Sequence, residues 1–127
     1  MLKKLSLKQR LLDIMPFIFW GFLAVVIYAM LIELPPRRGG WPHWDKVQHL
    51  VIFMVLAGLA FIAYPKGKRW MAALLIICGA LVEWLQAAFT QTRMPSVGDW
   101  VADVAGVLLV LILYKWIATQ SNQKACV

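Results

Sequence analysis

Four apolar stretches dominate the chain, at residues 14–34, 47–64, 70–89 and 100–117. Each is about 18 to 21 residues long, enough to cross a hydrocarbon core about 30 Å thick as a helix. Lipid offers no partner for backbone N–H and C=O groups, so spans of this length must pair those groups internally. The expected fold is therefore all-α, a four-helix transmembrane bundle with antiparallel, up-down topology. Composition agrees with this reading: 62% of residues are hydrophobic and only 15% are charged, far from the balance of a soluble domain. Residues 1–13 then form a basic cytoplasmic tail, 14–117 the membrane domain and 118–127 a cytoplasmic stub. No soluble catalytic domain is expected in the short segments that remain.

A net charge of +7 in a soluble protein would suggest nucleic acid. Here the basic residues lie in the connections, where they report orientation instead, and no nucleic-acid partner is expected. With the N-terminus inside, the cytoplasmic face carries Lys3, Lys4, Lys8, Arg10, Lys66, Lys68, Arg69, Lys115 and Lys124, against Arg37, Arg38, Lys46 and Arg93 outside. Both termini are thus expected in the cytoplasm, which an even number of spans also requires. The first apolar run follows basic residues as a secretory signal does, but it is too long and lacks a small-x-small cleavage site, so it is expected to stay as an anchor.

Leu2, Leu5 and Leu12, interleaved with Lys3, Lys4, Lys8 and Arg10, fit either a short interfacial helix or a frayed basic tail. Pro16 is expected in the first turn of span one, where its missing donor costs little, and Glu33 near that span's outer end. The turn-rich stretch 35–44 places Trp41 and Trp44 at headgroup level, with His43 an interfacial residue outside any site. The basic turn 65–69 closes a helical hairpin, and Gly58, Gly79 and Gly106 allow close helix approach. Cys78 and Cys126 lie too far apart in this arrangement to bridge.

The informative residues break the apolar pattern: Asp45, Lys46 and His49 at the start of span two, Glu83 and Gln86 in span three, and Arg93, Ser96, Asp99 and Asp103 around the entry to span four. A charge inside a span costs several kcal/mol and so faces a partner or a cavity. The helical rise puts Glu83 about 20 Å from the cytoplasmic entry of span three and Asp103 about 5 Å below the outer entry of span four. Three helices thus bring ionisable groups to one depth. Asp45 and His49, like Asp99 and Asp103, are separated by four positions, and Glu83 and Gln86 by three, so each pair can share a helix face.

In order, Asp45-Lys46-x-x-His49, Glu83-x-x-Gln86, Arg93-x-x-Ser96-x-x-Asp99 and Gly106 resemble the signature positions of the VanZ-like family. The likeness covers residues 45–110, and Asp103 stands where that family commonly carries Asn. The resemblance implies a four-helix protein of the bacterial inner membrane, in a family that includes a protein associated with teicoplanin resistance. It implies no mechanism.

Asp45, Glu83, Asp99 and Asp103 outweigh Lys46 and Arg93, which would repel a bare phosphate. An anionic headgroup then needs a bound cation or a carboxyl kept protonated by burial, and Glu83 is the deepest candidate. The leading expectation is an outer-leaflet pocket for a lipid phosphate. Arg93 and Lys46 contact the phosphate, Gln86 hydrogen-bonds the headgroup, and Asp99 orients Arg93. His49, oriented by Asp45 or Glu83, holds or moves a proton. His49, Glu83 and Asp99 are the candidates for proton transfer and orientation; Asp45, Lys46, Gln86, Arg93, Ser96 and Asp103 are the binding candidates. Ser96, beside Pro95 and ahead of a helix, reads better as a cap than as a nucleophile. No cofactor is assigned. A hard divalent ion on His49, Glu83, Asp99 and Asp103 is an alternative without a compact ligand motif such as H-E-x-x-H behind it. Two further readings stay open: a structural or partner-binding module whose polar residues are interhelical pairs, and a proton-coupled carrier acting as a homodimer.

Overall fold

The computed structural model describes residues 6–33, 41–91 and 94–125. These fold into four helices, α1 (Leu7–Leu31), α2 (Trp44–Ala63), α3 (Lys68–Phe89) and α4 (Val97–Ala125). All four are long and apolar enough to cross a membrane. They coincide with the four apolar stretches, but their ends differ from the expected spans for local reasons.

Helix α1 begins seven residues before position 14 because Ser6 caps it, its Oγ accepting from the Gln9 N–H at 3.3 Å. Ser6-x-x-Gln9 has the spacing of a capping box. The segment read as a separate interfacial helix or frayed tail is, from Leu7 onward, continuous with the span. Pro16 consequently lies well inside α1 and not in its first turn, where its ring removes the hydrogen bond that would reach the Leu12 carbonyl. Helix α4 continues past 117 into the expected stub. There Thr119 Oγ1 and Ser121 Oγ donate to the carbonyls of Lys115 and Ile117, each at 3.0 Å. Both side chains satisfy themselves on the helix's own backbone, so polarity alone does not end it.

The distribution of side chains is inverted relative to a water-soluble domain. Phe17 is 78% exposed and Trp70 82%, with Ile77, Trp84, Leu109 and Ile112 also outward. His49, Glu83, Gln86 and Asp103 are buried. An apolar exterior with the polar side chains of the spans turned inward is what lipid selects, since exposed Leu and Trp cost nothing there and exposed charge costs several kcal/mol.

Helix α2 touches all three other helices and packs most extensively on α4. Gly106 explains the depth of that crossing: a Cβ built on it would stand 2.6 Å from the Leu50 carbonyl oxygen and 3.1 Å from the Met54 nitrogen. Gly58, expected to serve the same purpose, has nothing within 4 Å of its Cβ position and marks no close approach. The apolar part of the interior is filled by Phe19, Phe53, Phe61, Leu56, Leu75 and Val107. At the α2–α3 turn, the Gly67 N–H donates to the Tyr64 carbonyl at 3.0 Å. The Tyr64 hydroxyl accepts from Trp20 Nε1 at 2.8 Å, and the Lys68 ammonium lies over the Tyr114 ring, 4.1 Å from its centroid.

Candidate functional site

The polar side chains come together where the first turns of α2 and α4 meet the second half of α3. His49 stands in the second turn of α2, and its Nδ1 lies 2.9 Å from Asp103 Oδ1 on α4. Both are buried, Asp103 to 1% exposure. The expectation that Asp45 or Glu83 orients His49 gives way here. Asp45 is exposed, and the imidazole instead takes the carboxylate across the α2–α4 crossing. A residue one turn away on the same helix competes poorly with one that the crossing delivers at hydrogen-bond distance.

Asp99, one turn before Asp103, is engaged elsewhere. Its Oδ1 accepts from Lys46 Nζ at 3.0 Å, joining the ends of α2 and α4 at the margin of the cluster. The Lys46 side chain keeps 42% exposure. Gly98 makes room for it, since a Cβ there would lie 2.8 Å from Lys46 Cε. The expected partner of Asp99, Arg93, lies outside the described residues, and with it the expected Arg93 contact to phosphate. Asp99 therefore separates from the metal-ligand quartet suggested by the sequence, leaving His49, Glu83 and Asp103.

Glu83 enters from α3. Its Oε2 accepts the backbone N–H of Ser96 at 2.9 Å, while Oε1 is buried with no hydrogen-bond partner among the described residues. Ser96 occupies the position ahead of α4, its carbonyl accepting from the N–H groups of Asp99 and Trp100 at 2.9 and 3.3 Å. Its own N–H thus ties the start of α4 to α3. One ligand-capable atom from each of His49, Glu83 and Asp103 lies within 4.8 Å of the other two.

Gln86 does not face this cluster. Its Nε2 donates to the Met30 carbonyl on α1 at 2.8 Å, and the side chain is buried. The expected hydrogen bond from Gln86 to a headgroup is replaced by a tether between α1 and α3. Glu33 supplies a second one, accepting from the Gln91 N–H at 2.6 Å. Three positions along a helix turn by 300°, so Gln86 can point well to one side of Glu83 while staying on the inward half.

Two contributors were not foreseen as parts of the site. Gly79, one turn before Glu83, gives Asp103 its space: a Cβ there would lie 2.9 Å from Asp103 Oδ2. Trp100 donates Nε1 to the Ile76 carbonyl at 3.1 Å, fixing its ring between α3 and α4. The spacing Gly79-x-x-x-Glu83 was a readable signal for the first. Between α3 and α4 a groove of about 410 Å³ runs along Ala80, Glu83, Trp84, Ala87, Pro95, Ser96, Val97 and Trp100. It is open to the apolar exterior and reaches the Glu83 side of the cluster.

Compared with known proteins, the chain matches no family model, no curated protein and no solved structure.

Proposed function

We propose that the chain is a multi-pass, VanZ-like protein of the bacterial cytoplasmic membrane whose polar cluster binds the phosphate headgroup of an envelope lipid. In this reading the helices alternate in direction, both termini are cytoplasmic, and the cluster lies beneath the extracytoplasmic face. The excess of Lys and Arg in the segments then placed inside supports that orientation. Membrane lipids are the surrounding partners and the lipid phosphate is the ligand.

One observation carries the proposal: the groove between α3 and α4 leads from the apolar exterior to a buried carboxylate. A lipid can enter sideways, its chains remaining in the bilayer and its headgroup meeting Glu83, with Trp84 and Trp100 along the walls. Lys46 supplies a cation at the margin, already oriented by Asp99. Binding accounts for these features without requiring turnover.

A second reading is favoured by the pairing itself. His49 with Asp103, Lys46 with Asp99, and Gln86 with the Met30 carbonyl all join different helices, as a purely structural or partner-binding module requires. Quantifying the lipid that co-purifies with the wild-type chain and with Ala80→Trp, which fills the groove without touching the polar pairs, separates the two. The headgroup reading expects a defined phospholipid or polyprenyl phosphate on the wild type and its loss from the folded variant. Equal lipid profiles on both folded proteins would remove it.

A further inference from the structure

We propose that His49, Glu83 and Asp103 form a binding site for one divalent cation of the zinc–manganese class. The three residues come from three helices, and each offers a ligand atom within 4.8 Å of the other two. Ligands held by one ion at about 2.1 Å stand about 3.4 Å apart along a tetrahedral edge and about 3.0 Å apart along an octahedral one. The 2.9 Å between His49 Nδ1 and Asp103 Oδ1 is already such an edge. Glu83 offers an oxygen within 4.8 Å of both, and side-chain rotation would draw it inward to an ion.

Independent support comes from the orphaned oxygen. Glu83 is 9% exposed, and its Oε1 is buried without a hydrogen-bond partner among the described residues. An ionised carboxylate left so in a low-dielectric interior costs several kcal/mol, a cost that a proton or a cation removes, and the imidazole and second carboxylate within 4.8 Å are the geometry for a cation. The other oxygen, Oε2, is held by the Ser96 N–H, which orients the carboxylate as outer-shell partners of metal ligands do. Gly79 leaves open the space against Asp103 Oδ2 that any other residue would narrow.

The donor set selects the ion. Imidazole suits zinc and other transition metals, and carboxylates suit manganese and harder ions, so one nitrogen with two carboxylates disfavours calcium and magnesium. Three protein ligands leave coordination positions for an outside oxygen. Charge follows the same logic: among the described residues Lys46 is paired with Asp99, and a divalent ion offsets the two remaining carboxylates, Glu83 and Asp103. The open positions would then receive a phosphate oxygen from the groove, a step that rests on the headgroup reading. Ion binding itself does not.

The test uses the full chain in detergent, stripped with chelator and titrated with Zn²⁺ by calorimetry and with Mn²⁺ by electron paramagnetic resonance, no lipid added. One equivalent is expected, with affinity lowered about tenfold or more in His49→Ala and Asp103→Asn, since even outer-shell losses cost 10- to 100-fold. Gly79→Ala should weaken binding as well, while His43→Ala, in an exposed residue outside the cluster, should leave it unchanged. Should His49→Ala not fold, pulsed resonance of Mn²⁺ on the wild type reads imidazole coordination directly through its nitrogen coupling. No stoichiometric uptake by folded wild-type protein, uptake indifferent to the cluster variants, or bound Mn²⁺ without nitrogen coupling would overturn the site. Such a failure leaves the headgroup reading standing. An ion that binds to protein showing no groove-dependent lipid removes that reading alone.

Discussion

Replacing Gly106 by Ala tests the packing that assembles the site. The added methyl carbon would meet the Leu50 carbonyl oxygen at 2.6 Å, the Met54 nitrogen at 3.1 Å and Phe53 Cβ at 3.3 Å. Even attractive C–H···O contacts between helices sit at about 3.3–3.6 Å, so α4 must retreat from α2 by about 0.7 Å. The first two neighbours are backbone atoms, and no rotamer change relieves them. Overpacking of this kind costs about 1–3 kcal/mol. The retreat also reaches the cluster, because Asp103 lies one turn from Gly106: the 2.9 Å contact to His49 would open toward about 3.6 Å, past hydrogen-bond distance. Unfolding of the full chain in mixed micelles, followed by far-ultraviolet circular dichroism against added sodium dodecyl sulfate, should place Gly106→Ala well below wild type. Gly58→Ala is the matched control. Nothing lies within 4 Å of its Cβ, so it should be neutral or stabilising by up to about 1 kcal/mol, as alanine is in a helix. Equal midpoints for the two alanine variants would refute the close crossing.

Glu83→Met should keep or raise stability, by up to about 2 kcal/mol, because it removes a charge and a buried oxygen that has no partner among the described residues, at the cost of one bond to Ser96; the same micelle titration checks it, and a clear loss would show that the carboxylate is paired. A double-mutant cycle on Lys46→Ala and Asp99→Ala should give a coupling below about 1 kcal/mol, weakened by salt, since the lysine is 42% exposed; a larger, salt-insensitive value would mean a desolvated pair. Gln86→Leu should cost about 1 kcal/mol and leave the Met30 carbonyl without its donor, with hydrogen exchange rising at the C-terminal turns of α1 and not in α4.

Helix number and positions were legible in the sequence because an apolar run of span length has one solution in lipid. The ends were less so. Ser6 and Gln9 are an ordinary polar pair unless read as a cap, and Thr119 and Ser121 read as a stub unless their bonds to the preceding turn are counted. That His49, Glu83 and Asp103 share one level was also legible, from rise per residue and span ends alone. Which carboxylate meets the imidazole was not, because it depends on how α2 rotates against α4, and Gly106 sets that crossing. The same gap explains Gln86. Counting positions put it beside Glu83, whereas the direction of α1, which no spacing encodes, gave it the Met30 carbonyl.

Stability by itself gives no reason for this cluster. A leucine at 83 would spare the chain a buried oxygen that has no partner among the described residues. The pairs Lys46–Asp99 and Gln86–Met30 already join α2 to α4 and α3 to α1 without it. His49 and Asp103 join α2 to α4, but Gly106 already makes that crossing close through backbone contact, and Gly79 gives up a side chain's packing to make room for Asp103. Destabilising choices that converge from three helices on one point are the pattern expected of a site held for a ligand. Among the described residues carboxylates outnumber cations there, which supports the proposed divalent ion, and the groove beside Glu83 is the side from which the proposed lipid phosphate would reach it.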